Sequence, residues 1–353
     1  MPAIKKNIDL GPLTTIKTGG PAAYFIECAG EADILKALQF AHSKNLRIYV
    51  LGGGSNSLVS DRGFDGVVIK IANDNLNINE DGRVCAGAGV LWDQLVSEAC
   101  HQGLSGIEAM SGIPGLVGAT PVQNVGAYGQ EVSETIESVK AIHRITLSTK
   151  IFSAVECDFS YRNSRFKGAE KDQWIITEVI FQLSPKLKPM PKYQELLNAL
   201  TSDSDWNSED RLQKILAIRN HVLKIRSSKG MVLNPNDPDT FSLGSFFVNP
   251  IVSAAVKDHI FNFATVKNLS QSPPAHPAGD NMWKLSAAWL IENSGIKKGE
   301  TRGRAKISSK HVLAITNPNS ATTAEILDLA DHIQKSVNSE FGVQLEREPV
   351  FVE

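Results

Sequence analysis

Cysteine is scarce and scattered: Cys28, Cys85, Cys100 and Cys157 stand far apart in a chain of 353 residues, with no CxxC pair. That spacing argues against a disulfide framework and against a metal site, and reduced core thiols in a cytosolic protein are the expectation. An excess of one charge is also lacking. The 36 Lys and Arg face 38 Asp and Glu, for a formal net charge of −2. No basic field therefore invites nucleic acid, and no block of like charge marks a membrane surface. Long apolar runs are missing too. No segment reaches the roughly 20 apolar residues that span a bilayer, and MPAIKKNIDLGPLTTIK has no stretch long enough for a signal peptide. The expected protein is soluble and cytoplasmic, without membrane insertion, and must hold any anionic ligand in a local site. Its oligomeric state is not legible.

What is present is ordinary globular composition, 42% hydrophobic and 21% charged, in a length that fits two or three domains. The first part alternates strand and helix. Strands are expected at Ala22–Cys28, Arg47–Leu51, Gly66–Ile71, Arg83–Ala88, Ser138–Ile145 and Trp174–Leu183. Helices are expected at Glu31–Ser43, with Ile34, Leu35, Leu38 and Ala41 on one face, and at Leu91–His101. Pro185, Pro189 and Pro191 make Ser184–Lys192 a semi-rigid connector. A helix follows from about Ser208, its cap, to Ser227, with Gly230 ending it and Leu212, Ile215, Leu216, Val222 and Leu223 as its buried stripe. Loops are expected at Asn234–Thr240 and Ser272–Gly279. A helix is expected at Trp283–Asn293, another behind the capping-box pair Thr322 and Glu325, and a terminal strand at Val343–Val352. The pattern reads as an α+β protein with a domain boundary between 184 and 230.

Two glycine loops carry the functional signal. Leu51-Gly52-Gly53-Gly54-Ser55-Asn56-Ser57 follows an apolar strand, and glycine lets main-chain N–H groups converge on a pyrophosphate. A Rossmann fingerprint needs GxGxxG opening a helix, but Ser57 takes the third glycine position and no Walker lysine follows. The second run, Ser111–Gly129, mixes glycine with Ile113, Leu116, Val117, Val122 and Val125, unlike a polar linker. It reads equally as a set of turns in an apolar core or as a ligand cradle. Two such loops in one domain favour a long cofactor bearing a pyrophosphate.

The order of Thr18-Gly-Gly-Pro-Ala22, the first glycine loop, the second glycine run, Tyr161-Arg-Asn-Ser164, Lys229-Gly-Met-Val-Leu and Gly244-Ser-Phe-Phe-Val-Asn-Pro250 resembles the UDP-N-acetylenolpyruvoylglucosamine reductase family, over nearly the whole chain. The resemblance implies a vanillyl-alcohol-oxidase-type FAD domain in two lobes (about 1–71 and 72–225) and a C-terminal α+β substrate domain over 226–353. The final strand is free to return to the FAD domain. It also implies NADPH as reductant and UDP-N-acetylglucosamine enolpyruvate as acceptor. With two glycine loops to hold a diphosphate and no cysteine or histidine placed for a tether, the FAD is expected to be non-covalent. By the same resemblance the cofactor residues are Leu51, Gly52, Gly53, Gly54, Ser55, Asn56 and Ser57 in the first loop. In the second they are Ser111, Gly112, Ile113, Pro114, Gly118, Ala119, Gln123, Asn124, Gly126, Ala127, Tyr128 and Gly129. Gln123–Gly129 and Tyr193 are similar to the longer form of the family, in which a tyrosine loop covers the substrate.

The implied reaction passes hydride from NADPH to FAD and on to the methylene carbon of an enol ether, leaving carbanion character beside a carboxylate. Charge must be stabilised there and a proton delivered. Ser245 matches the proton donor and Arg162 the arginine that holds the carboxylate, for which its planar fork suits. Glu348 matches the glutamate paired with that arginine, with Glu346 on the same strand face as competitor. Lys229 and Asn249 match substrate positions, Lys229 through the diphosphate, although a lysine ending a helix is also favoured by the helix dipole. Tyr193 covers the nucleotide or packs in the linker. Where many relatives have a basic residue, Val248 stands. The rival readings are an oxidase or dehydrogenase of another substrate on the same FAD scaffold and a non-catalytic flavin or nucleotide-sugar binding protein. No histidine sits in a flavin-tethering motif, and intact Arg162 and Ser245 argue against the second rival.

Overall fold

A computed structural model describes residues 2–188, 193–269 and 272–353; Pro189, Pro191 and Lys192 of the expected connector lie outside them. The chain divides into two compact units. One comprises Met1–Ile8, Pro21–Gly54 and Phe64–Leu233, the other Asp9–Gly20, Ser55–Gly63 and Asn234–Glu353.

Two sheets build the first unit. The four-stranded sheet runs in the order Ile4–Asp9, Pro21–Cys28, Phe64–Ile71, Arg47–Leu51, with Phe64–Ile71 parallel to both of its neighbours. Parallel strands covered on both faces read as continuous apolar runs, and Val67, Val68 and Ile69 are all fully buried. Helix Glu31–Ser43 closes on this sheet through Ile34, Ala37, Leu38 and Ala41. The antiparallel sheet is ordered Thr149–Ser153, Ile136–His143, Trp174–Gln182, Arg83–Gly87, Leu76–Ile78. One core joins the two sheets and takes in Trp92 and Leu95 of helix Trp92–His101. Each large apolar side chain removed from water there contributes about 1.5–3 kcal/mol.

Helix Arg211–Ser228 starts later than its sequence suggests. Asp210, not Ser208, caps it by accepting the Leu212 N–H at 2.8 Å. Its buried residues are Ile215, Ala217, Ile218, Arg219 and Val222, so the buried stripe is rotated relative to the expected one and includes a charge. Helix Gln194–Thr201, not expected from the sequence, packs beside it.

In the second unit the helix Thr323–Phe341 carries the expected capping box, and Ile326, Leu329, Ile333 and Val337 are fully buried. The helix expected over Trp283–Asn293 is instead a strand, Met282–Leu285, followed by helix Ala287–Asn293. Ser286 separates them: its extended backbone and its side chain, which accepts the Trp289 N–H, make it a helix cap. Part of the loop expected over Ser272–Gly279 forms strand Ala275–Pro277 beside Met282–Leu285. Helix Ala254–Val266 was not expected either. The terminal strand shortens to Val350–Val352, which pairs in parallel with Ser57–Val59 of the same unit. Among the described residues no helix is long and apolar enough to cross a membrane. Cys28, Cys100 and Cys157 are buried free thiols, and burial pushes Cys28 and Cys157 up to about 12.

Candidate functional site

Strand Arg47–Leu51 delivers the first loop at its carboxyl end. Gly52, Gly53 and Gly54 then follow, and the first two lie against the second loop. A methyl group built on Gly53 would stand 2.8 Å from the Gly115 Cα, a separation real side chains do not show. Gly52 faces Leu116 and Ala119. The structure thus brings both sequence-predicted loops together and explains why glycine is needed where they touch. Among the described residues the amides of Gly53 and Gly54 have no acceptor in the chain. Ser55, Asn56 and Ser57 continue into the second unit, where the Asn56 side chain donates to the Glu348 carbonyl at 3.3 Å.

The second loop is partly tied down by its own amides, while those of Ile113, Gly115 and Leu116 have no acceptor among the described residues. Gly112 N–H donates to Asp93 at 2.6 Å, Val117 to the Val90 carbonyl at 2.9 Å, Gly118 to Ala88 at 2.9 Å and Ala119 to Leu116 at 3.0 Å. Ser111 is fully buried and donates through its hydroxyl to Glu108. Ile113 packs on the core. Asn124, also buried, donates to Glu131 at 2.7 Å and accepts from the Ser133 amide. Gly126 and Ala127 pair with Glu131 and Gln130 as a tight hairpin whose two turn residues, Tyr128 and Gly129, both have positive φ (49° and 87°). Much of this run is packed turn, the alternative that the residues alone left open.

Asp93 holds the centre of this arrangement. It sits in the first turn of helix Trp92–His101 and takes both N–H groups of Arg219 at 2.7 and 2.9 Å beside the Gly112 amide. Burial opposes its ionisation, but the Arg219 and Gly112 hydrogen bonds and the charges of Arg219 and Arg226 outweigh that and hold its carboxyl below the usual range. Arg226 lies beside Gly112 and donates to the Met231 carbonyl at 2.9 Å; its Nε is sealed from solvent and has no partner among the described residues. Burial pulls its guanidinium down and pushes the Tyr128 phenol up to about 12.

Tyr193, 39% exposed, packs edge-on against Tyr128 with ring centroids 4.9 Å apart. Lys229, which caps the C-terminus of helix Arg211–Ser228, pairs with Glu195. Tyr193, Glu195 and Lys229 thus share one end of the two packed helices. Arg162 has a positive φ of 53° and donates to the Gly126 carbonyl at 2.7 Å, which fixes the plane of its fork beside the hairpin.

The second unit carries the remaining candidates. Phe246 and Phe247 bury themselves in its core and hold the half-buried Ser245 just ahead of them. The Glu348 amide donates to the Phe246 carbonyl at 2.9 Å, and the Val248 amide to Glu346 at 3.0 Å. Ser245, about 100 positions from Glu348 in sequence, therefore directly precedes the residue whose carbonyl takes the Glu348 amide. Glu346 is exposed, whereas Glu348 is half-buried. Asn249 accepts the Ala287 amide at 2.9 Å, so its side-chain oxygen anchors the start of helix Ala287–Asn293.

Comparison with known proteins decides what these pieces belong to. An FAD binding domain model matches residues 22–145, and the model for the C-terminal domain of UDP-N-acetylenolpyruvoylglucosamine reductase matches 236–352. The reductase of that name from Thermobifida fusca is 43% identical over 98% of this chain and 97% of its own length. The one from Streptomyces avermitilis is 44% identical over 97% and 93%. This chain belongs to the UDP-N-acetylenolpyruvoylglucosamine reductase family. A crystal structure of the Thermus caldophilus reductase aligns over the whole of both chains at 25% identity with a TM-score of 0.68. The 6-hydroxy-D-nicotine oxidase of Arthrobacter nicotinovorans shares the fold, with a TM-score of 0.56 over 98% of this chain and 87% of its own. As in the reductase family, the architecture is α+β, with a vanillyl-alcohol-oxidase-type two-lobed FAD-binding domain and a C-terminal α+β domain. The chain is an FAD-dependent oxidoreductase.

The residues present fit that cofactor. A glycine, Gly53, with no room for a methyl group and two unengaged amides suit a diphosphate that approaches the main chain closely. Sequence reasoning missed Asp93, Arg219, Arg226, Glu195 and Lys70. Only Lys70, a lysine amid the buried run Val67-Val68-Ile69-Lys70-Ile71, left a signal that sequence reading could have used.

Proposed function

We propose that this chain reduces UDP-N-acetylglucosamine enolpyruvate to UDP-N-acetylmuramate with NADPH through non-covalently bound FAD, in the cytoplasm. That step belongs to peptidoglycan precursor synthesis and so bears on cell shape and division. The observation that carries the reading is the relationship to reductases of that name over essentially the full length of both chains. The flavin is assigned to the domain of residues 1–225 and the substrate to 226–353.

Bound FAD supplies the two-electron transfer between NADPH and the enol ether. The chain's own residues orient the substrate and manage charge and protons. In this reading Gly53 and Gly54 hold the diphosphate of the cofactor by their amides. Arg162 faces the enolpyruvyl carboxylate with its planar fork, supported by the hydrogen bond that fixes the fork's plane. Ser245 delivers the proton to the carbon that bears the carboxylate, and Glu348 is the acidic partner. Supporting Glu348 over Glu346 is its half-buried position next to the Ser245 strand. Lys229, beside Tyr193 at the helix end, takes the substrate diphosphate while Tyr193 covers the nucleotide. Asn249 contributes through its amide nitrogen, since its oxygen is engaged.

The test is turnover. Purified protein, yellow as isolated, is mixed with NADPH and the enolpyruvyl nucleotide, and the product is read by mass as the substrate plus two hydrogens. NADPH consumption without that product would overturn the assignment of substrate. Acid precipitation should leave the flavin in the supernatant, and flavin retained in a washed pellet would refute non-covalent attachment.

A further inference from the structure

Three consecutive glycines have more backbone freedom than other tripeptides, so open amides at Gly53 and Gly54 make a good anion seat only if something fixes the peptide planes. Packing of Gly53 on Gly115 fixes the position of the loop. Its orientation has a second source. Lys70 lies near the carboxyl end of strand Phe64–Ile71, in register with Glu27 on one neighbouring strand and Leu51 on the other. Glu27 is the nearby acid, yet the ammonium of Lys70 donates to the main-chain carbonyl of Gly52. In a trans peptide the carbonyl of one residue and the N–H of the next point in opposite directions within one plane. Drawing the Gly52 carbonyl towards Lys70 therefore turns the Gly53 N–H to the other side of the loop. Burial lowers the Lys70 pKa and Glu27 raises it. A cation kept in that setting for the sake of one carbonyl makes a charge-assisted hydrogen bond, stronger than a neutral one.

We propose that Lys70 is a positioning residue for the first glycine loop: it locks the Gly52–Gly53 peptide so that the loop presents its amides to the diphosphate of FAD. This rests on the reading of that loop as the diphosphate seat. Lys70 itself stands behind the loop and acts through Gly52.

The experiment titrates the full chain, stripped of flavin, with FAD and separately with riboflavin, which has the same ring system and no phosphate. Binding is read by flavin fluorescence, and folding of each variant by circular dichroism. Lys70→Met should weaken FAD about 10- to 100-fold, the range of a lost hydrogen bond from a charged group, and leave riboflavin affinity unchanged. Lys70→Arg, which keeps donor and charge, should restore FAD affinity to within about threefold. Unchanged FAD affinity in Lys70→Met would overturn the proposal and leave the loop reading intact. Equal weakening of FAD and riboflavin would also overturn it, because that reports general disruption. If the unaltered chain bound FAD no better than riboflavin, the diphosphate seat itself would fall, and the proposal with it. Should Lys70→Met not fold, Lys70→Gln carries the same pair of titrations and is judged by the same outcomes.

Discussion

Beyond Leu51 the amides of Gly53 and Gly54 have no acceptor among the described residues, and the carbonyl before them is held by Lys70. Between Ser111 and Ala119 more of the amides are engaged: those of Gly112, Val117, Gly118 and Ala119 donate within the chain, one of them to a charged side chain, while those of Ile113, Gly115 and Leu116 have no acceptor among the described residues. Gly112 and Gly118 let backbone pack and donate their amides within the chain, whereas Gly53 packs on Gly115 and still leaves its own amide open. A glycine-rich run is therefore not in itself a ligand seat, and the state of its amides separates the two cases.

The largest expected effect lies outside both loops. Ser245→Ala should leave FAD affinity unchanged and let NADPH bleach the flavin at the normal rate. Reoxidation by the enolpyruvyl nucleotide should slow by roughly 10²–10⁴-fold, the contribution of a general acid. Stopped-flow measurement of the two halves checks this, and equal slowing of both would make Ser245 architectural. Next, a methyl group should break the two loops differently. Gly53→Ala, 2.8 Å from the Gly115 Cα, should lower FAD affinity by about 100-fold or more, near 3 kcal/mol. Gly118→Ala, 2.4 Å from the Ala88 Cβ, should cost about 1–3 kcal/mol of stability through overpacking while the folded protein binds FAD within about threefold of normal. Fluorescence titration and thermal unfolding separate the two, and identical profiles would dissolve the contrast.

Asp93→Asn tests the brace behind the second loop. It strands Arg219, whose side chain is 10% exposed, but Asp93 itself is 39% exposed, so the loss should be about 2–3 kcal/mol, below that of a fully buried pair. Because the folded pKa of Asp93 is lowered, its contribution is present above the ordinary carboxylate value and is lost as pH falls through the lowered one. Melting temperature against pH should therefore fall more steeply on acidification in the unaltered chain than in the variant. Parallel curves would remove Asp93 from this role. The smallest effect concerns the rim. Lys229 and Glu195 are 29% and 44% exposed, so Lys229→Ala should change stability by less than about 1 kcal/mol. Affinity for the enolpyruvyl nucleotide should drop about tenfold as a charged contact is lost, read by titration against the flavin spectrum. Unchanged affinity would leave Lys229 as a helix-end charge.

Strands Arg47–Leu51 and Trp174–Gln182, helix Glu31–Ser43 and the capping box at Thr322 were legible because apolar period and caps are written within a few neighbouring residues. The helix expected across Ser286 failed because a cap outweighed an apolar run. The buried face of Arg211–Ser228 was misjudged because it turns inward to bring Arg219 to Asp93, 126 positions away. By themselves the residues determined many of the local elements, the two glycine loops and, through the order of motifs, the family. Only the tertiary structure decided which glycine amides are engaged, that Lys70 faces Gly52, and that the Glu348 amide pairs with Phe246, next to Ser245 in the chain. Each of these depends on a backbone group finding its partner on a distant segment, and no local pattern specifies which segment arrives.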